Sequence, residues 1–323
     1  QNMRPICTMV TKIQSRILSM LKRRGQSLST GDKLASKMLR ASSAINASKA
    51  ARPTYSYLWD AEVKVFSQWG EDGILEYLFD LVGLNKPRIV EFGAGNFTEC
   101  NSRFAAEYRN ASVYAVDMRE DLVQEMESLD IYWRNSIFPV CDFITPESAK
   151  MHQSLAEQKL GGIDCISIDI DGNDYWVLQS LNLSNVQVVV CEYNPLYGSN
   201  LACTVEKNDF FDRTKEHFSW LHYGMSLREA IDLLMTSDFI FVGSNRAGNN
   251  AFFIKKNFVN LLSFDLPDIG HLKDFVDWRV RESRDEHGNL SYLTKEDAIS
   301  IISDCKLVNI STLESVQVKQ LTF

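Results

Sequence analysis

The sequence lacks the cysteine and histidine spacings that disulfide scaffolds and zinc sites need. Its seven cysteines include no CxxC pair, and no histidine cluster lies near any of them. Cys165 and Cys191 fall inside apolar runs, which is typical of buried thiols in a reducing compartment. We therefore expect free cysteines, no zinc site and a cytoplasmic protein.

Long apolar runs are also absent. No stretch approaches the roughly 20 apolar residues that a membrane-spanning helix needs, and no segment has the pattern of a secretory signal. With 45% hydrophobic and 24% charged residues, the composition is that of a globular protein with a sizeable core. The 323 residues suit one large domain, or one domain with appendages.

Charge is unevenly distributed along the chain. Residues 1–52 hold eleven Lys and Arg and one acid, so this segment carries +10 while the whole chain carries −8. The remainder is acidic and would repel a nucleic-acid backbone, so we expect no nucleic-acid partner. The basic segment has two interpretations. It is either a solvated helical appendage or a docking segment, whose partner would be a protein or the inner face of a membrane. A second copy of the chain, in a homo-oligomer, is a further candidate partner.

Three parts are predicted along the chain. Residues 1–52 show two amphipathic helical patterns and end before Pro53, which marks a boundary. Residues 53–261 form the main α/β domain. Residues 262–323 form a C-terminal extension packed on that domain, with elements that the pattern does not place.

Helix-like and strand-like segments alternate through the main domain. Most of the first five strand candidates are continuous apolar runs, which are typical of parallel strands covered on both faces. Two more candidates flank a Gly/Asn-rich connection, which predicts an antiparallel hairpin. The fold class is therefore α/β, a doubly wound, mostly parallel seven-stranded sheet of the Rossmann-like methyltransferase type, not the six parallel strands of a nicotinamide-binding dehydrogenase. The seven candidates are residues 88–92, 112–117, 136–141, 164–169, 188–192, 239–242 and 251–254.

A glycine turn follows the first strand, in the segment EFGAG at 91–95. Gly93 and Gly95 allow a tight turn and close backbone approach to a ligand, and the following helix offers free N–H groups to an anion. Thr98 occupies the place of the third glycine in a GxGxxG motif. This spacing favours a smaller anion, such as a methionine carboxylate, over a pyrophosphate.

Two acids end the second and third strands. Asp117 lies about 20 residues beyond the glycines, where an acid binds ribose hydroxyls in sheets of this kind. Asp142 is a candidate to accept a hydrogen bond from the adenine amino group, or else a helix N-terminal acid.

More polar side chains follow the fourth and fifth strands. Asp169 and Asp171 come after one strand, and Glu192 and Asn194 come at the end of the next. Their oxygens predict a site for Mg²⁺ with Asp169, Glu192 and Asn194 as ligands, a polyol-binding site, or a general base, and the pattern does not separate these.

Seven motifs occur in an order that resembles the FkbM-like group of bacterial class I methyltransferases. The resemblance covers about residues 65–260, and the order of the motifs is specific although no single motif is. It implies S-adenosylmethionine as cofactor and O-methylation of a sugar-like hydroxyl in a polysaccharide or secondary metabolite. The motifs are SQWGED (67–72), EFGAG (91–95), NS (101–102), IDIDGND (168–174), EYN (192–194), YGMSL (223–227) and NAFF (250–253).

The sequence provides candidate residues for each ligand. The cofactor set is Gln68, Glu91, Gly93, Gly95, Asn96, Asp117 and Asp142. The acceptor, a small molecule or glycan, would contact Glu192, Asn194 and Tyr223.

Catalytic candidates are the acids Asp169 and Asp171 together with His222. His222 lies between apolar residues, so a packed histidine is an equal interpretation. The stretch 193–223 is either an acceptor loop or a satellite hydrophobic cluster, and its aromatic and histidine residues are Tyr197, Phe210, Phe211, His217 and Trp220.

Two other functions compete with methyl transfer. One is a nucleotide-sugar or NAD-dependent enzyme on a similar sheet, which the missing third glycine and the hairpin disfavour. The other is a non-catalytic interaction protein that retains the fold, docking through residues 1–52.

Overall fold

The computed structural model describes residues 55–129, 131–279 and 282–321. The helical patterns of residues 1–52 lie outside these ranges. None of the helices in the described ranges is both long and apolar enough to cross a bilayer. The helices are α1 (Glu71–Leu81), α2 (Arg103–Arg109), α3 (Leu122–Glu127), α4 (Pro146–Leu160), α5 (Asp174–Ser180), α6 (Arg213–Glu216), α7 (Leu227–Met235) and α8 (Lys295–Ile301). The strands are β1 (Arg88–Phe92), β2 (Ser112–Asp117), β3 (Ile137–Cys141), β4 (Cys165–Ile168), β5 (Val188–Glu192), β6 (Cys203–Val205), β7 (Phe239–Ser244), β8 (Asn250–Lys255), β9 (Lys306–Asn309) and β10 (Glu314–Gln317).

Seven strands form the central sheet in the order β3-β2-β1-β4-β5-β8-β7. The five strands β1 to β5 are parallel, whereas β8 runs antiparallel to both β5 and β7. The predicted hairpin is confirmed, with a register irregularity between Phe241 and Gly243. This strand order and the closing hairpin define the Rossmann-like methyltransferase fold, which confirms the predicted fold class.

The apolar runs form strands because both faces of the sheet are covered. On β1, Ile89 belongs to one hydrophobic cluster while Val90 and Phe92 belong to the other. The same alternation places the thiols of Cys165 and Cys191 in opposite layers, both buried and free. Successive residues of a strand point to opposite faces, so a continuous apolar run supplies both layers at once.

The helix α4 shows how local sequence sets the ends of an element. Thr145 accepts a hydrogen bond from the Ser148 N–H at 3.1 Å, and Pro146 occupies the first turn, where its missing N–H costs nothing. Gly161 ends the helix at a φ of 74°, in the left-handed region that glycine adopts most easily. These signals set the two ends of α4, which packs beside β1 and β2.

A second sheet joins the stretch 193–223 to the C-terminal residues. β9 pairs with β6 on one side and β10 on the other, in both cases antiparallel. A separate hydrophobic cluster covers it, with members from both segments, including Tyr197, Cys203, Leu221 and Leu307. The satellite-cluster interpretation therefore describes part of this stretch, which is less irregular than the sequence pattern suggested.

Candidate functional site

A cavity of about 780 Å³ opens beyond the carboxyl ends of β1, β2, β4 and β5. This edge is where open α/β sheets bind their ligands. Nine of the residues predicted from the sequence line it together. They are Gln68, Glu91, Gly93, Gly95, Asp117, Asp169, Asp171, Glu192 and Tyr223.

The two glycines of the turn have different surroundings. Gly93 has a φ of 88°, and a Cβ atom there would lie 1.6 Å from the carbonyl oxygen of Asp169. Gly95 has a φ of 58°, and a Cβ atom there would meet nothing within 4 Å. Gly93 therefore lets two strand ends pack together, whereas Gly95 leaves open space at the cavity.

Asp117 binds this glycine turn directly. Its Oδ2 accepts a hydrogen bond from the Gly95 N–H at 2.7 Å, and its Oδ1 accepts one from the Arg119 N–H at 2.9 Å. Burial raises the pKa of Asp117, and the two N–H donors oppose that shift. Each carboxylate oxygen has two lone pairs, so Asp117 keeps acceptor capacity toward the cavity.

Glu91 also lines the cavity, but its carboxylate is held by the chain. It accepts hydrogen bonds from the N–H groups of Asn101 and Ser102, at 2.7 and 3.0 Å, and from the Ser102 hydroxyl. Burial raises the pKa of Glu91, while these donors lower it. Its local role is to fix the loop that leads into α2.

Asn96 and Asp142 lie outside the cavity wall. The Asn96 side-chain oxygen accepts from Thr98 N–H at 3.2 Å, within its own turn. The Asp142 Oδ2 lies 2.8 Å from Nε2 of His152 on α4, and the helix cap is Thr145 instead. The residue after Asp142, Phe143, lines the cavity where Asp142 was expected.

His222 is packed and hydrogen-bonded. Its Nδ1 lies 3.0 Å from the Tyr197 hydroxyl, and burial lowers the pKa of His222 to about 4. His222 lies outside the cavity wall, so the structure matches the packed interpretation of this residue better than the catalytic one. His217 likewise lies outside the wall, whereas Phe210, Phe211 and Trp220 contribute to it.

Asn194 braces the loop that follows β5. Its side-chain nitrogen donates to the carbonyls of Leu221 and Tyr223, at 2.9 and 3.1 Å, and its oxygen accepts from the Leu196 N–H at 3.1 Å. The side chain is buried and outside the cavity wall. Asn194 is therefore held by this loop, whereas the three acids line the cavity, and its predicted part in an ion site stays a prediction.

Three acids do converge at the cavity. Asp169, Asp171 and Glu192 each offer a carboxylate oxygen, and these oxygens lie within 4.8 Å of one another. Burial raises the pKa of both Asp169 and Glu192 well above the usual range, and neighbouring carboxylates add to the shift, first Asp171 for Asp169 and first Asp169 for Glu192. Asp174 shapes the loop beneath them by accepting from the Ile170 and Gly172 N–H groups, at 3.0 and 2.9 Å.

Arg213 on α6 supplies positive charge to this cluster, and no motif in the sequence singled it out. Its Nη1 donates to the Asp171 carboxylate, and its Nε donates to the Trp220 carbonyl at 3.2 Å. Its guanidinium carbon stands 4.4 Å from the ring centroid of Tyr223. Burial lowers the pKa of Arg213, but the combined charges of Asp171, Tyr223 and Glu192, with the hydrogen bond to Asp171, outweigh burial and raise the pKa.

Glu71 is a second residue to which the sequence analysis assigned no role. It lies in the motif SQWGED, and its partner Asn250 lies in the motif NAFF. Its Oε2 accepts from the N–H groups of Trp69 and Gly70, at 2.8 and 2.9 Å. Its Oε1 accepts from the side-chain amides of Asn245 and Asn250, at 2.6 and 3.1 Å. Glu71 therefore connects the start of α1 to the β7–β8 hairpin at the cavity wall.

Aromatic side chains stand at the mouth of the cavity. Phe143 and Phe210 have nearly parallel rings with centroids 6.4 Å apart, and Phe210 is 84% exposed. Exposed aromatic faces of this kind can pack against planar rings or against the apolar faces of sugars.

The chain matches no protein-family model and no curated protein sequence. Among solved structures it is similar to two of the N-terminal domain of EvdMO1, one in the presence of SAH and D-fucose and one with SAH bound. Each is 8% identical in sequence to this chain, with a TM-score of 0.36. Both matches cover 57% of this chain, and they cover 80% of the first structure's chain and 79% of the second's.

Proposed function

We propose that the chain is an S-adenosylmethionine-dependent methyltransferase that acts on a sugar-like hydroxyl. The observation that carries the proposal is the glycine turn hydrogen-bonded to Asp117 in the wall of a cavity at the carboxyl edge of this sheet. The order of the motifs over residues 65–260 supports an FkbM-like enzyme as the finer form of the same proposal.

The residues present fit this cofactor. Gly95 leaves open space beside the turn, where backbone approach to a methionine carboxylate needs it. Asp117 retains lone pairs for ribose hydroxyls, and Phe143 offers an aromatic face for the adenine. The bound cofactor would supply an activated methyl group.

The chain's own residues would handle the acceptor. Tyr223 and the three acids line the same cavity, so acceptor hydroxyls can donate hydrogen bonds to carboxylates there. The main tasks are to align the acceptor oxygen with the methyl group and to take up its proton, and Asp169 or Glu192 would accept that proton.

Calorimetric titration with S-adenosylmethionine tests the proposal. We expect the wild type to bind and Asp117→Asn to weaken binding by about 1–3 kcal/mol, because the charged acceptor for the ribose is lost while the side-chain shape is kept. Asp232→Asn is the matched control, since Asp232 pairs with Arg228 on α7, away from the cavity wall. A wild type that shows no heat of binding at millimolar cofactor would refute the methyltransferase assignment.

A further inference from the structure

We propose that Asp169, Asp171 and Glu192 form a binding site for a hard divalent cation of the Mg²⁺ or Mn²⁺ class. The three residues come from the ends of two neighbouring strands, and all three line the cavity. Carboxylate oxygens are the ligands that such ions prefer in proteins.

The spacing of the oxygens suits one ion. Two oxygens on opposite sides of a bound cation lie about 4 Å apart for Mg²⁺ and about 5 Å apart for Ca²⁺. One oxygen from each of the three carboxylates lies within 4.8 Å of the others. A single ion between them therefore needs only small side-chain movements.

Glu192 provides an independent indication. The residue is only 4% exposed, and its Oε2 has no hydrogen-bond partner among the described residues. A buried carboxylate oxygen without a donor is costly, and Glu192 shares its cluster with two more carboxylates. A cation in the cavity would satisfy this oxygen.

Arg213 does not fill that role. Its guanidinium donates to Asp171 and to the Trp220 carbonyl, and no hydrogen bond joins it to Glu192 among the described contacts. One guanidinium against three carboxylates leaves the cluster short of positive charge. The ion and Arg213 would both be attracted to Asp171, so Arg213 is expected to oppose binding of the ion.

The role of the ion in binding the acceptor is inferred from its position, and this inference rests on the proposed function. Three protein oxygens leave coordination positions open on the cavity side of the ion. Those positions can take two oxygens of an acceptor with adjacent hydroxyls, such as a sugar diol. The acceptor class would then be a vicinal diol, held with one hydroxyl toward the methyl group.

Titration of EDTA-treated protein with Mn²⁺, followed by loss of the free-ion electron paramagnetic resonance signal, tests binding without any activity measurement. We expect one bound Mn²⁺ per chain and competition by Mg²⁺. Asp169→Asn and Glu192→Gln should each weaken binding about tenfold or more, the effect seen even for outer-sphere partners of metal sites. Arg213→Gln should tighten binding, whereas Asp232→Asn should leave it unchanged.

Thermal melting checks that each variant is folded, and the more exposed Asp171→Asn gives the same comparison if Glu192→Gln is unstable. Absence of bound Mn²⁺ at millimolar concentration, or equal binding by all variants, overturns the site. Titration of the same samples with S-adenosylmethionine separates the two proposals. Cofactor binding without Mn²⁺ removes only the ion site, and Mn²⁺ binding without cofactor binding removes only the methyltransferase assignment.

Discussion

Gly93 and Gly95 lie two residues apart in one turn, yet a side chain at each would meet different atoms. We expect Gly93→Ala to destabilise the fold by at least about 3 kcal/mol, because its Cβ would overlap the Asp169 carbonyl and the strand ends would have to separate. Gly95→Ala should cost only about 1–2 kcal/mol, the strain of a left-handed alanine, but it should reduce cofactor affinity by filling the open space. Urea unfolding and cofactor titration of both variants measure the contrast.

Equal stability of the two variants would contradict the contact between Gly93 and β4. The sequence pattern assigned both glycines to ligand approach, and only Gly95 has the free space for it. Nothing in the spacing distinguishes them, since the difference depends on the neighbouring strand end that Gly93 touches.

Glu229 gives the protein a pH-dependent stability. Burial raises the pKa of Glu229 to about 8, with Asp232 adding to the shift, and its Oε2 has no hydrogen-bond partner among the described residues. Between pH 4.5 and about 8 the folded chain keeps this proton and the unfolded chain loses it. The free energy of unfolding should therefore fall as pH rises through this window, by at most about 1.4 kcal/mol per pH unit.

Glu229→Gln isolates that contribution, because a neutral amide of similar shape does not titrate. The stability of the variant relative to the wild type should rise steadily from pH 5 to pH 8 in urea unfolding experiments. Two parallel curves over that range would show that Glu229 has an ordinary pKa in the folded state.

At the scale of elements, the β7–β8 turn is held to α1 by a network centred on Asn245. Its side-chain oxygen accepts from the N–H groups of Gly248, Asn249 and Asn250, at 3.0, 3.1 and 3.2 Å, and its nitrogen donates to Glu71. We expect Asn245→Ala to lower the free energy of unfolding by about 2–4 kcal/mol, since it leaves buried groups without partners.

The matched control is Asn182→Ala. Asn182 also accepts hydrogen bonds with its side-chain oxygen, but only within an exposed turn at Ser184. This variant should change stability by less than about 1 kcal/mol. If both variants lose the same amount, the connection between hairpin and α1 contributes nothing beyond an ordinary turn.

The central sheet could be predicted from the sequence because most of its strands are covered on both faces and therefore appear as apolar runs. β6 could not, since it has three residues and its partner is about a hundred residues away, with Thr204 opposite Val308. Such a short strand is determined by contacts that the local pattern does not contain. The same reasoning applies to the site, where strand-end acids were predictable and the contacts of Arg213 and Asn194 were not.

At the scale of the whole molecule, residues 1–52 carry a net charge of +10. That these residues form a separate segment stays a prediction. Deleting them should leave cofactor affinity and thermal stability nearly unchanged, because the residues proposed to bind the cofactor all lie in the later part of the chain. Binding to anionic vesicles, or self-association in sedimentation, should decrease and depend on salt. A deletion variant that is insoluble, or that binds the cofactor poorly, would show that the segment belongs to the folded core.

The pairing of β6 with β9 also sets an order of events at the ribosome. All strands of the central sheet have been synthesised once residue 255 is made, whereas β6 must wait for its partner strand at residues 306–309. Leu196 and Leu221 belong both to the cluster on that small sheet and to the cavity wall. The part of the cavity wall that Leu196 and Leu221 form can therefore be completed only after residues 306–309 have been synthesised, whereas the strand that ends at Asp117 is made much earlier.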